Sequence, residues 1–106
     1  MANVQAFSPV AGNTLTLTAT VGNVTTGSPV FAGSGYRQVQ IYNEGTATAW
    51  VAFGSSSVSA NNTADMPVPA GALLVITVPP TDGGTYAAIY TAAATGNVYF
   101  TPGSGL

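Results

Sequence analysis

The chain has no cysteine, histidine or lysine, and Arg37 is its only arginine in 106 residues. Without cysteine or histidine it lacks the usual ligands of a zinc site. Without histidine or lysine, a serine has no neighbouring base to activate it as a nucleophile. One cation does not neutralise the phosphates of a nucleic acid or hold a protein on an anionic membrane. We therefore predict no nucleic-acid partner and no membrane partner.

Acidic residues are also scarce, with Glu44, Asp65 and Asp82 making up the whole set. A calcium site needs several oxygen ligands close together, and a glycoside hydrolase needs a pair of carboxylates. Each of these three residues falls in a predicted turn or loop, where an aspartate commonly bonds nearby backbone. We therefore predict that the protein is not an enzyme and has no catalytic residue, metal site or cofactor.

Long apolar runs are absent too. The longest, Ala72 to Val78, has the length of a strand, whereas a spanning helix needs about 18 residues or more. Residues 1–5 lack the basic and apolar regions of a signal peptide, so we expect synthesis in a cytoplasm. The net charge of −2 and the charged fraction of 4% leave little repulsion between copies. Edge strands also lack protective lysines, which favours a subunit of an assembly over a free β-domain with an uncharged polar surface.

What the chain does contain is alternation between polar and apolar residues. In residues 14–21, threonine alternates with Leu15, Leu17 and other apolar residues, which is typical of a half-buried strand. Residues 72–78 form the most continuously apolar segment, so we expect a strand covered on both faces. Further strands are predicted at 85–91 and 97–101, with turns rich in glycine and proline between them.

The stretch from Tyr36 to Phe53 predicts a hairpin, because two alternating runs flank Asn43-Glu44-Gly45. Gly45 suits the left-handed residue of a three-residue loop. The resulting register pairs Ile41 with Ala47 and Val39 with Ala49 on an apolar face. The opposite, polar face then holds three aromatic residues: Tyr36, Tyr42 and Trp50.

These patterns predict an all-β protein without a helical period. The expected fold is a single-domain antiparallel β-sandwich, jelly-roll-like, with about seven to eight short strands. The domain spans residues 14–101. An extended N-terminal arm, residues 1–13, carries Phe7 and Val10 as anchors, and a flexible tail covers residues 102–106.

The aromatic residues of the polar hairpin face allow three interpretations: burial within the fold, contact with another subunit, or contact with a sugar. A sugar-binding face usually adds acids and amides beside the rings, and on the predicted hairpin only Gln38 and Gln40 qualify. Arg37 falls on the apolar face, where it needs a carboxylate partner such as Asp65 or Asp82.

Three segments carry a family resemblance: Gln40 to Gly54, Ala64 to Gly71, and Val98 to Leu106. In turns and composition they resemble small virion proteins of tailed bacteriophages, those that decorate or cement the capsid. The resemblance implies a subunit on the capsid surface, bound to the major capsid protein and forming a homo-oligomer, with a trimer favoured. Under this interpretation five residues are expected at subunit contacts: Phe7, Val10, Tyr36, Tyr42 and Trp50.

Two other functions share the same expected fold. A head-fibre or tail knob would contact the host through its loops, especially residues 55–69. A cellular carbohydrate-binding module would bind a glycan through Trp50. The two virion functions differ in copy number per particle, and the carbohydrate module differs from both in binding glycans.

Overall fold

The computed structural model describes residues 8–9, 14–30, 38–78, 84–92 and 96–104. These residues form nine strands and no α-helix, so none of their elements is a helix long and apolar enough to cross a membrane. The strands are β1 (Ser8–Pro9), β2 (Leu15–Thr18), β3 (Gly22–Thr25), β4 (Gln38–Asn43), β5 (Ala49–Gly54), β6 (Met66–Val68), β7 (Leu73–Thr77), β8 (Tyr86–Thr91) and β9 (Asn97–Ser104).

The strands build two antiparallel sheets. In sheet A the order is β1–β9–β4–β7, and β2 also pairs with β9 on the side of β1. Sheet B has the order β3–β8–β5–β6. The predicted all-β sandwich is confirmed.

The pairing has a nested order: β2 with β9, β3 with β8, β4 with β7, and β5 with β6. The chain is thus one long antiparallel ribbon, whose tip is the link between β5 and β6 at residues 55–65. Rolling that ribbon brings β4 against β9 and β5 against β8. This is the connectivity of a jelly roll.

The core lies between the two sheets. Phe100 on β9, Ile41 on β4 and Ile89 on β8 are its largest fully buried apolar side chains. Phe53 on β5 meets Phe100 edge-on, with ring centroids 6.0 Å apart and planes at 85°. Because side chains alternate across a strand, each strand turns one set of side chains to this interior and the other set outward.

The predicted hairpin between β4 and β5 is wrong. β4 belongs to sheet A, where Ile41 pairs with Leu74 and Phe100, and β5 belongs to sheet B, where Ala49 pairs with Val68. Residues 44–48 therefore cross from one sheet to the other. A crossover and a hairpin both bury one face of each strand, so alternation alone does not distinguish them. Four of the predicted inward-facing side chains are nevertheless buried, namely Val39, Ile41, Ala49 and Val51, whereas Ala47 is only partly buried.

The crossover also changes the role of Gly45. This residue is not among the glycines with positive φ, so the left-handed conformation expected there is absent. Instead its backbone lies against Gly96, where an added Cβ would come within 3.0 Å of the Gly45 Cα. Asn43 fixes the turn, because its Oδ1 accepts from the Gly45 amide at 2.9 Å.

Two strand predictions also need correction. The apolar run of β7 was expected to be covered on both faces, but β7 lies at the edge of sheet A and Leu73 is 57% exposed. β9 continues to Ser104, so residues 102–104 are paired strand where a flexible tail was expected. Neither feature follows from local composition, because both depend on which strand lies alongside.

Candidate functional site

The two described aromatic residues of the predicted contact face lie on opposite sides of the protein. Tyr42 points outward from sheet A, and Trp50 points outward from sheet B. The prediction that they share one face is wrong, because it depended on the hairpin. The other three predicted contact residues, Phe7, Val10 and Tyr36, lie outside the described residues, as do Arg37 and Asp82.

On sheet B, Trp50 forms an aromatic pair with Tyr90. Their strands are neighbours, the ring centroids are 6.2 Å apart, and the planes are tilted by 56°. Pro67 of β6 lies opposite Trp50 on its other side. Both rings are half-buried, so part of each aromatic surface is accessible to another molecule.

A segment of the β5–β6 link folds back beside this pair. We call residues 55–60 the cover segment. The side chain of Asn23 on β3 makes two hydrogen bonds to this segment. Its Nδ2 donates to the Ala60 carbonyl, and its Oδ1 accepts from the Ala60 amide, each at 2.6 Å. Thr25 Oγ1 donates to the Val58 carbonyl at 3.2 Å. Ala88 points to the same outer face and is fully buried, so the segment covers this part of sheet B.

On sheet A, Tyr42 is paired with Tyr99. They are directly opposed on β4 and β9, with centroids 6.1 Å apart and planes only 12° from parallel. The Tyr99 hydroxyl donates to Glu44 Oε1 at 2.9 Å, and Asn97 Nδ2 approaches the same hydroxyl at 3.4 Å. Thr18 Oγ1 donates to Asn97 Oδ1 at 3.0 Å. An acid and an amide therefore accompany these two rings.

Sequence reasoning missed this second group. It gave Tyr42 only the glutamines of its own strand as polar neighbours and missed Tyr99 and Asn97 of β9, which are more than fifty positions along the chain. The available signal was the alternation in residues 97–101, which puts Asn97, Tyr99 and Thr101 on one face of a strand. That signal does not say which strand lies beside them.

A cleft of about 340 Å³ opens between the edges of the two sheets. Phe53, Met66 and Ile76 are among its apolar lining residues, and Asp65 is its one acid. The Asp65 carboxylate accepts from the Asn61 amide at 2.8 Å, as expected for an aspartate in a turn. Within the described ranges, no three potential metal ligands of the His, Cys, Asp and Glu types lie together.

The described residues thus offer two aromatic contact groups, one on each outer face, and a small cleft. These groups can stack, make apolar contacts and form hydrogen bonds through hydroxyls, an amide and one carboxylate. No protein-family model, no curated protein and no solved structure gives a significant match to this chain.

Proposed function

We propose that this chain is a non-enzymatic structural virion protein that binds the outer surface of a phage capsid as a decoration subunit and stabilises the shell. The observation that carries the proposal is the half-buried Trp50–Tyr90 pair on sheet B, held beside the cover segment. Tryptophan and tyrosine in rigid surroundings are the residues most often found at the energetic centre of protein interfaces.

Composition supports this proposal. A charged fraction of 4% lets copies and partners pack closely with little cost from burying charges. The jelly roll is also an architecture used by viral capsid proteins, although lectins share it, so this support is an analogy of fold.

Such a subunit acts by adding buried area where capsid proteins meet. A standard interface covers about 800 Å² on each partner. In this proposal Trp50 enters a recess of the capsid protein. The cover segment, held by Asn23 and Thr25, keeps the surface beside Trp50 in place. Repeated over many sites, modest contacts strengthen the whole shell.

The test is to purify icosahedral particles from infected cells and to measure the copy number of this chain by quantitative mass spectrometry. A decoration subunit is expected on the order of hundreds of copies per particle, set by the shell's symmetry. Tens of copies or fewer would instead indicate a fibre or tail knob. Absence from the particle overturns the proposal.

A matched pair of variants then tests the surface. Trp50→Ala should reduce particle occupancy strongly, whereas Tyr42→Ala, on the opposite face, should leave it nearly unchanged. Equal occupancy of both variants would exclude sheet B as the capsid-binding face.

A second candidate function rests on sheet A. Tyr42, Tyr99, Glu44 and Asn97 provide aromatic rings with an acid and an amide, the combination that sugar recognition uses. This group favours contact with a host glycan, as in a head-fibre knob or a carbohydrate-binding module. On a glycan array, binding that is lost in Tyr42→Ala and Glu44→Gln but kept in Trp50→Ala would support it. No binding by the wild-type chain would exclude it.

A further inference from the structure

Four edges bound the two sheets, and their strands differ in how they resist pairing with another chain. β3 is bridged to the cover segment through the side chains of Asn23 and Thr25. β6 has three residues, with Pro67 at its centre, and β1 has two. β2 exposes only threonine on its outer face. Short length, proline, covering and polar faces are common protections of an edge strand.

β7 has none of these protections. It has five residues, Leu73–Thr77, with no proline, no charge and, among the described residues, no partner besides β4. Leu74 and Ile76 lie on the core side, and Leu73 and Val75 lie on the outer side, so β7 is apolar on both faces. Such a strand is predicted to take another strand alongside it.

The hydrogen bonds of the neighbouring turn establish which backbone groups of β7 are available. The Asn43 amide donates to the Ala72 carbonyl at 3.0 Å, and bonded and unbonded pairs alternate along an antiparallel ladder. Leu74 and Ile76 therefore turn their N–H and C=O groups toward β4. Leu73, Val75 and Thr77 turn theirs toward the open edge.

We propose that β7 pairs with β7 of a second copy of this chain, antiparallel across a two-fold axis at Val75. In this register Val75 meets its own copy, and Leu73 meets Thr77. All the edge-facing groups are then satisfied, in about six hydrogen bonds between the copies. The contact joins the two A sheets into one continuous sheet.

The side chains also favour a second copy as the partner. On the core side, Leu74 of one copy lies beside Ile76 of the other, and on the outer side Val75 lies beside Val75. Every cross-strand pair is uncharged and none repels. Because the register is symmetric about Val75, β7 of each copy supplies the donors and acceptors that β7 of the other copy needs. A two-fold interface requires this self-complementarity.

This contact uses neither Trp50 nor Tyr42 and stands independently of the proposed function. A two-fold contact closes at two copies, so it predicts a dimer where the phage resemblance implies a trimer. Size-exclusion chromatography with light scattering should give twice the monomer mass of 10.5 kDa. A monomer at tens of micromolar concentration, or a trimer, overturns the proposal.

Val75→Lys places two like charges against each other at the axis and should weaken the dimer by about 100-fold or more. Val21→Lys is the matched control, because Val21 is apolar, 72% exposed and outside β7. Circular dichroism identifies a variant that has failed to fold. Dissociation by Val21→Lys to the same extent would contradict the proposed axis.

Cysteine cross-linking tests the register itself, and the chain has no native cysteine to interfere. The Cα atoms of a bonded antiparallel pair lie about 5.5 Å apart, within disulfide range. With oxidised glutathione as the electron acceptor, Val75→Cys should form a covalent dimer. Leu73→Cys, which is more exposed but distant from its own copy, should not. Equal cross-linking of both variants, or none at residue 75, overturns the register.

Discussion

The outer faces of the two sheets start from the same pattern and end with different surfaces. Sheet A shows its outer side chains to solvent, with Tyr42 and Tyr99 nearly parallel and a carboxylate at their rim. Sheet B is partly covered by the cover segment, and its aromatic pair is tilted beside that segment. The tyrosine pair of sheet A thus lies among polar groups and is open to solvent, whereas the aromatic pair of sheet B lies beside a segment that is hydrogen-bonded to the sheet.

The difference between the two faces comes from the β5–β6 link, which contains the cover segment, and not from the strands. The Asn23 side-chain amide makes two hydrogen bonds with the Ala60 backbone and so holds the cover segment on the outer face of sheet B. Sheet A has no described equivalent. A surface loop therefore determines which outer face is partly covered and which remains open to solvent.

We expect the largest loss of stability from a substitution at the crossover between β4 and β5, which connects the two sheets. Asn43 is buried, and besides its bond with Gly45 its Nδ2 donates to the carbonyls of Ala47 and Val68 at 2.9 and 3.0 Å. Asn43→Ala leaves buried backbone groups without partners and should lower the free energy of unfolding by about 3 kcal/mol. Urea denaturation measures it. Asn97→Ala, on the open face, is the control and should cost less than half as much.

The hydrogen bonds that hold the cover segment on sheet B can be removed separately. Asn23→Ala deletes both bonds to Ala60 and should cost about 2 kcal/mol. The Ala60 amide, which donates to Asn23, should then lose its protection in hydrogen exchange. Amides of β4 and β9 in sheet A should keep theirs. Unchanged protection at Ala60 would mean that the segment is held by other contacts.

Trp50 is the only tryptophan, so its fluorescence reports on sheet B alone. Asn23→Ala should shift the emission to longer wavelength, because loosening the cover segment admits water near the ring. Tyr99→Phe, on the other face, should leave the emission unchanged. A red shift in both variants would mean that the two faces are coupled through the core.

The smallest expected effect lies on sheet A. Tyr99→Phe removes the hydroxyl that donates to Glu44 and should cost less than about 1 kcal/mol, since the bond is exposed. Thermal denaturation checks this value. A loss comparable to that of Asn23→Ala would show that the open face is also braced, and the contrast between the sheets would disappear.

Much of the fold followed from local pattern, and the failures have one cause. The alternation in Val39-Gln40-Ile41 and in Ala49-Trp50-Val51 identified the buried side chains correctly. The same residues gave a wrong hairpin, because a strand that crosses to the other sheet has the same alternation as one that turns back. The ribbon pairs distant segments such as 15–18 with 97–100, and neither segment encodes its partner.

For the candidate site, the residue types were predictable and their grouping was not. Trp50 and Tyr42 were predicted as contact residues, and the sequence did not group Tyr90, Tyr99 and Glu44 with them. Aromatic side chains gain their neighbours from adjacent strands, and those neighbours depend on strand order. Strand order is a property of the whole rolled ribbon.

The sequence by itself determined the all-β class, the inward and outward side chains, and the scarcity of groups for acid–base or metal chemistry. Only the tertiary structure decided that Tyr42 and Trp50 face opposite directions, that Asn23 braces one sheet, and that β7 lies at an edge. The physical reason is how far apart in the sequence the interacting residues are. Alternation acts between next neighbours, whereas strand pairing and the closing of the cover segment depend on contacts between residues far apart in the chain.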